Sequence, residues 1–368
     1  FLVGLVASVG SLPILLFSFV AGVVVDRTDR LRLLLLMQAL LLAEAAVLWL
    51  LTATGHIDIT TLLLLAFANG LCNAFEIPAR QSLIVELVGR EDLGEAIALN
   101  SSGFNLARIV GPAVGAGVIA TLGLAACFGI NALSYLAVLV GLLLVRLPAR
   151  PRVLPSQTAL EGLREGFRYM WHTREVRTLM TIVLVFSVFG TPYLTLMPVL
   201  ARDVLHLGPD GYGVLLAAVG VGGLAGALGL AALGPRVAPA PLLAGASLAF
   251  AALLVALAFV HHAGLARATL LAVGCAMILN GAVSNALLQT IVPDALRGRL
   301  MAAYSFVVVG MAQVLGSFLG GAVARAAGVA WAIGGGGTVM LAYAVWTFWR
   351  NPALLRIGRP APADALSS

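Results

Sequence analysis

Gly22-Val23-Val24-Val25-Asp26-Arg27-Thr28-Asp29-Arg30-Leu31-Arg32 is the stretch whose reading decides the fold. It sets a dense run of charge between two long apolar runs, Phe1 to Val25 and Leu33 to Thr52. About 20 apolar residues cross the hydrocarbon core of a bilayer as a helix, so the two runs predict membrane spans and the charged segment a tight turn at the water interface. A turn this short ties the two helix ends together. Gly22 allows a neighbouring helix to come close, and Asp26, at the end of the first helix, can reach a positive helix N-terminus or an arginine. Arg27, Arg30 and Arg32 mark the cytoplasmic side. A plain stop-transfer cluster of charge would show the same pattern in isolation.

The rest of the chain repeats this alternation. The sequence is 61% hydrophobic and 10% charged, with a mean hydropathy of +1.04, far from the roughly quarter-charged average of soluble domains. Apolar runs fall near 1–25, 33–53, 60–79, 95–120, 123–145, 176–200, 211–233, 239–260, 267–291, 300–324 and 329–349, which predicts an all-α membrane protein with eleven spans present. All 22 basic residues are arginine. Setting aside Arg108, which lies inside a span, only Arg202, Arg267 and Arg325 fall on the side opposite the Asp26 loop. The positive-inside rule therefore expects the Asp26 loop, the connector after residue 145 and the C-terminus in the cytoplasm. The basic balance follows from that bias and gives no reason to expect nucleic acid. Without lysine the chain cannot encode a Gly-Lys-Ser/Thr phosphate loop, so uphill transport would have to draw on an ion gradient. Cys72, Cys127 and Cys275 lie in apolar spans and read as small packing residues. No cofactor is expected, and no His, Cys and Asp set has metal-ligand spacing.

Moving the first half along by about 208 positions lays Gln81 on Gln289, Glu86 on Asp294 and Asn105 on Gln313. In that register the run 176–200 has its counterpart before Phe1. The repeat predicts two six-helix bundles with the first helix missing from this chain. The expected units are 1–145 (N-terminal bundle lacking its first helix), 146–175 (cytoplasmic linker with an amphipathic helix), 176–350 (C-terminal bundle) and 351–368 (cytoplasmic tail). In the linker, Leu160, Leu163, Phe167, Met170 and Trp171 recur at helical spacing beside Arg164, Glu165, Arg168 and Arg174, the pattern of a helix lying at an interface.

Charge inside a span is costly, so each instance is a candidate for function. Glu44 lies mid-span and calls for protonation or an arginine partner. Glu76 and Arg80 stand four apart on one helix face, the favourable order for an ion pair, next to Pro78. Arg108 lies beside Asn105, where a fixed positive charge would attract an anionic substrate, hold a carboxylate, or pair within the bundle. Asn73, Gln289 and Gln313 are cheaper to bury and could line a passage or bond between helices. Gly111-Pro112 builds a local bend, and Gly115 permits close helix contact.

These motifs carry a resemblance. Gly22-x-x-x-Asp26-Arg27-x-x-Arg30 is similar to the gating signature between the second and third helices of the major facilitator superfamily. Ile77-Pro-Ala-Arg80-Gln-Ser, Arg90-Glu-Asp-Leu and Ala96-Ile-Ala-Leu-Asn100-Ser-Ser resemble its enterobactin-exporter-like and macrolide-effluxer-like branch, over nearly the whole chain. Gly111-Pro112 is similar to the fifth-helix motif of antiporters. Two departures accompany it: Ala66 stands where the family has a fourth-helix arginine, and Ala107 and Ala116 replace glycines of the fuller pattern.

The resemblance implies the major facilitator fold, an address in the bacterial cytoplasmic membrane, and a secondary active exporter working by alternating access rather than an enzyme. Its partners would be the lipid bilayer, a small amphiphilic or anionic organic substrate of drug or siderophore type, and protons as counter-ion. Gly22, Asp26, Arg27, Arg30, Glu76 and Arg80 would form the cytoplasmic gate. Arg108, Asn105, Asn73, Gln289, Gln313 and Glu44 would serve the cavity or its coupling to protons. A rival reading is a non-transporting relative that packs as a structural partner in a larger membrane complex.

Overall fold

In the opening stretch the charged turn shrinks to two residues. Helix α1 runs Leu2–Arg27 and ends where Thr28 goes extended; Asp29 then caps α2, Arg30–Ala53, by accepting from the Arg32 amide at 3.0 Å. Such a cap satisfies one of the donors left over at a helix start. The computed structural model describes residues 1–88, 93–145, 159–233, 237–293, 296, 300, 301, 303, 304 and 306–356. Asp58 begins α3, Ile59–Val88, by accepting from the Thr61 amide at 2.9 Å. Helix α4, Leu93–Leu144, is two apolar arms joined at Gly123, whose φ of 86° no ordinary side chain adopts cheaply.

Helix α5, Ala159–His172, precedes α6, Arg174–Gly190, and α7, Pro192–Val199, which continues into a π-helical turn at Leu200–Val204. Helices α8, Pro209–Leu233, α9, Pro239–Leu257, and α10, Ala263–Ile291, follow. A second π-helical turn, Phe306–Met311, leads into α11, Ala312–Ala327, and Gly328, at φ 94°, turns the chain into α12, Val329–Arg350. The described residues contain no strand.

Among the described residues nine helices are long and apolar enough to cross a membrane. Two expected spans are not in that set. The run 1–25 contributes a shorter apolar segment, Leu2–Phe17, and the run 95–120 is the first arm of α4. Large apolar side chains such as Leu144, Phe259 and Trp349 stand more than 70% exposed, a surface that a hydrocarbon solvent accommodates and water does not.

The internal repeat is visible in the packing. A shift of about 208 positions carries α1 onto α8, α2 onto α9, α3 onto α10, and the two arms of α4 onto α11 and α12. Helix α1 packs on α3 as α8 packs on α10, and α2 packs on α4 as α9 packs on α12. The halves meet through α1 against α11 and through α4 against α8, contacts that the same shift exchanges. Glycine sets how closely the helices cross. A methyl group on Gly70 would collide with the Gly10 carbonyl of α1, and one on Gly222 with the Leu271 carbonyl of α10.

Candidate transport site

The polar residues of α3 share one face, because Asn69, Asn73, Glu76 and Arg80 follow at intervals of four, three and four. That face looks onto α2. Toward the Val88 end, Glu76 Oε1 accepts from Arg80 Nε at 2.8 Å and from Gln38 Nε2 of α2 at 3.3 Å. Glu76 is 6% exposed, and a carboxylate this deep needs its paired cation. Beyond it, an Arg30–Glu86 ion pair fastens the start of α2 to the end of α3.

Toward the Ile59 end, Asn69 Nδ2 donates to Glu44 Oε2 of α2 at 3.2 Å. Asn73 Nδ2 donates in turn to Asn69 Oδ1 at 2.8 Å and to the Asn69 carbonyl at 2.9 Å. These groups open onto a cavity of about 420 Å³ between α1, α2, α3 and α11, lined by Glu44, Asn69, Asn73, Ser11 and, from the second half, Gln313.

The expected site residues thus separate into two clusters. Glu44, Asn73 and Gln313 come together at the cavity, while Glu76 and Arg80 pair with each other nearer the charged end. Arg30 makes a separate pair with Glu86, further along α3, Arg27 is exposed at the end of α1, and Gly22 is partly buried in that helix. Gln289 stands apart: it is exposed near the end of α10 and donates to Asn285 at 2.5 Å. The side chains of Asp26, Asn105, Arg108 and Pro112 lie outside the described residues. Around Gly111 and Gly115 nothing described lies within 4 Å of where a side chain would begin, and the α4 backbone stays helical until Gly123.

Three contacts carried no sequence signal, although Asn69 itself stands among the intramembrane amides that could line a passage. Gln38 is one polar residue in an apolar run. Asn69 meets Glu44 only once α2 and α3 are rotated against each other. The seam between the halves is likewise tertiary: a methyl group on Gly4 of α1 would lie 2.5 Å from the Ser317 carbonyl of α11, and Ser8 Oγ donates to the Val314 carbonyl at 3.1 Å. Among the described residues no group of three or more His, Cys, Asp or Glu could hold a metal ion.

The family model described as transmembrane secretion effector matches residues 1–354. The chain is 32% identical over 339 residues to the multidrug efflux pump Tap of Mycobacterium tuberculosis (strain ATCC 25618 / H37Rv), covering 88% of this chain and 79% of that protein. It is 27% identical over 215 residues to the staphyloferrin A transporter of Staphylococcus aureus (strain NCTC 8325 / PS 47), covering 58% and 53%. Among solved structures, the D-xylose–proton symporter superposes with a TM-score of 0.74 at 16% identity, over 94% of this chain and 87% of that one. A bacterial homologue of the human lysosomal transporter Spinster, inward-facing and unoccupied, superposes with a TM-score of 0.69 at 16% identity, over 98% and 91%. At such identities the likeness speaks for the fold alone.

Proposed function

The chain belongs to the transmembrane secretion effector family of the major facilitator superfamily, a transporter and not an enzyme, and from that premise we propose that it is a secondary active exporter. Its cargo is a small amphiphilic organic molecule, and protons moving the other way drive it. It lies in the bacterial cytoplasmic membrane, with eleven of the spans of two six-helix bundles in residues 1–350 and the C-terminus inside. Residues 1–145 and 176–350 act as the two moving bundles, 146–175 as the strap between them, and 351–368 as a cytoplasmic tail. An anionic cargo would call on Arg108, whose side chain lies outside the described residues.

One observation carries this reading. The Glu44 cavity is built by both halves, since Gln313 of α11 faces it together with Glu44, Asn69 and Asn73. A rocking of one half against the other would take the site apart and rebuild it, as alternating access requires. The seam at Gly4 and Ser317 is a contact such a motion would open. At the opposite end Asp26 and Arg80 would form the cytoplasmic clasp, with Glu76 and Arg30 holding the arginine and α2 in register.

The test is transport by the full chain in proteoliposomes. Ethidium should move against its gradient when a proton gradient is imposed, and a protonophore should stop it. Movement indifferent to the proton gradient would refute antiport. Complete absence of movement, with the protein recovered in fixed stoichiometry with another membrane complex, would favour a structural role.

A further inference from the structure

We propose that the groove between the start of α6 and the end of α12 binds the phosphate of an anionic phospholipid in the adjoining leaflet, with Arg174 and Arg350 as its ligands.

Helices α6 and α12 pack against each other, and Tyr343 Oη of α12 donates to Thr181 Oγ1 of α6 at 2.7 Å. From Thr181 toward the start of α6, Thr178 and Arg174 follow on one face at intervals of three and four; from Tyr343 toward the end of α12, Arg350 follows seven residues on. The two arginines thus reach the same end of the seam, where they border a cavity of about 220 Å³ with Thr178 and Asn351. The 3₁₀ turn Pro352–Arg356 borders it too, through Leu354, which is buried.

Asn351 works in both directions. Its Nδ2 donates to the Thr347 carbonyl of α12 at 3.0 Å, and its Oδ1 accepts from Arg174 Nη2 at 2.9 Å. Arg174 is therefore aimed by a neutral acceptor, which fixes the guanidinium without cancelling its charge. Neither Arg174 nor Arg350 pairs with a carboxylate among the described residues. Glu175 also borders the cavity, in the first turn of α6, where it answers the positive end of that helix. Two arginines and one carboxylate leave a single positive charge, which one phosphodiester balances. The planar fork of arginine matches phosphate oxygens two at a time.

The surface beside the cavity selects a lipid over a soluble anion. Trp346 precedes Arg350 by four residues on the same helix face and is 50% exposed; Trp349 is 80% exposed. Across the seam, just before α6, Trp171 is 65% exposed, and its carbonyl accepts from Arg177 Nη1 at 2.9 Å. Exposed indoles at the end of a span mark the depth of the headgroups, and a basic pocket between spans at that depth suits an anionic lipid. The inference needs only the membrane setting and is independent of export.

The experiment reads tryptophan quenching by brominated lipid. The full chain, with Trp49, Trp171 and Trp331 replaced by phenylalanine so that Trp346 and Trp349 report, is reconstituted in phosphatidylcholine vesicles containing a fraction of brominated phosphatidylglycerol or of brominated phosphatidylcholine. The anionic lipid should be preferred at these two residues by about fivefold or more, the effect of one arginine at a membrane surface. The Arg174→Gln/Arg350→Gln double variant should show a preference near one, with quenching by brominated phosphatidylcholine unchanged, which reports that the chain is still seated in the bilayer. Each single change should lose part of the preference, and carries the test should the double variant not fold. Arg164→Gln, which removes the same charge from α5, should keep the preference in full.

Equal quenching by the two lipids before any arginine is changed would overturn the proposal. So would a preference that survives in the double variant or falls as far in Arg164→Gln, since the charge of that end as a whole would then be responsible. Relief of the phosphatidylglycerol quenching by millimolar inorganic phosphate at constant ionic strength would also overturn it, by making the groove a site for a soluble anion.

Discussion

Glu76 and Arg80 form an ion pair whose two ends differ in burial, and the difference has consequences. The Arg80 side chain is 39% exposed and the Glu76 side chain 8%. Arg80 can therefore recover water when its partner goes, whereas Glu76 cannot. Removing the cation should cost about 3 kcal/mol, because it leaves a buried charge held only by Gln38. Removing the anion should cost about 1 kcal/mol, the net worth of an ordinary hydrogen bond. Thermal unfolding in detergent should rank Arg80→Ala well below Glu76→Gln, and equal losses would mean that Glu76 is not charged in the folded protein. The sequence makes this pair legible because i and i+4 meet on any helix. It says nothing of Gln38, since one amide in an apolar run has no periodicity. For Glu44 the sequence asks for protonation or an arginine partner; the structure supplies Asn69, whose approach depends on how two helices rotate together.

At the scale of the element, apolar length and charged punctuation fix most of the helices. The quoted stretch gives both the end of α1 and the start of α2, although its role for Asp29 is a helix cap and not only a surface charge. The expected gap between the runs ending at 120 and starting at 123 falls where Gly123 breaks α4. Which helices touch, and how closely, is not written in composition, because the position of a glycine matters only against a particular neighbour. Gly70 and Gly111 look alike in sequence. In the structure the first lies against the Gly10 carbonyl and the second has no described neighbour within 4 Å. Gly70→Val should force α3 away from α1 and lower the midpoint of thermal unfolding by several degrees, while Gly111→Val should change it little. Equal sensitivity at the two positions would mean that α1 and α3 do not cross as described.

At the scale of the molecule, the repeat of about 208 positions is the feature that most limits what the protein can do. It places α1 on α11 and α4 on α8 as related contacts, and under the proposed alternating access a rotation that opens one end of that interface would close the other. The cavity at Glu44 lies where such a rotation would be felt. Pulsed electron resonance between spin labels at Leu2→Cys and Val323→Cys, with Cys72, Cys127 and Cys275 replaced by alanine, reads the α1–α11 separation directly. Two distance populations are predicted, with their ratio shifted by ethidium and by pH. One distance, unchanged by either, would contradict alternating access in this protein.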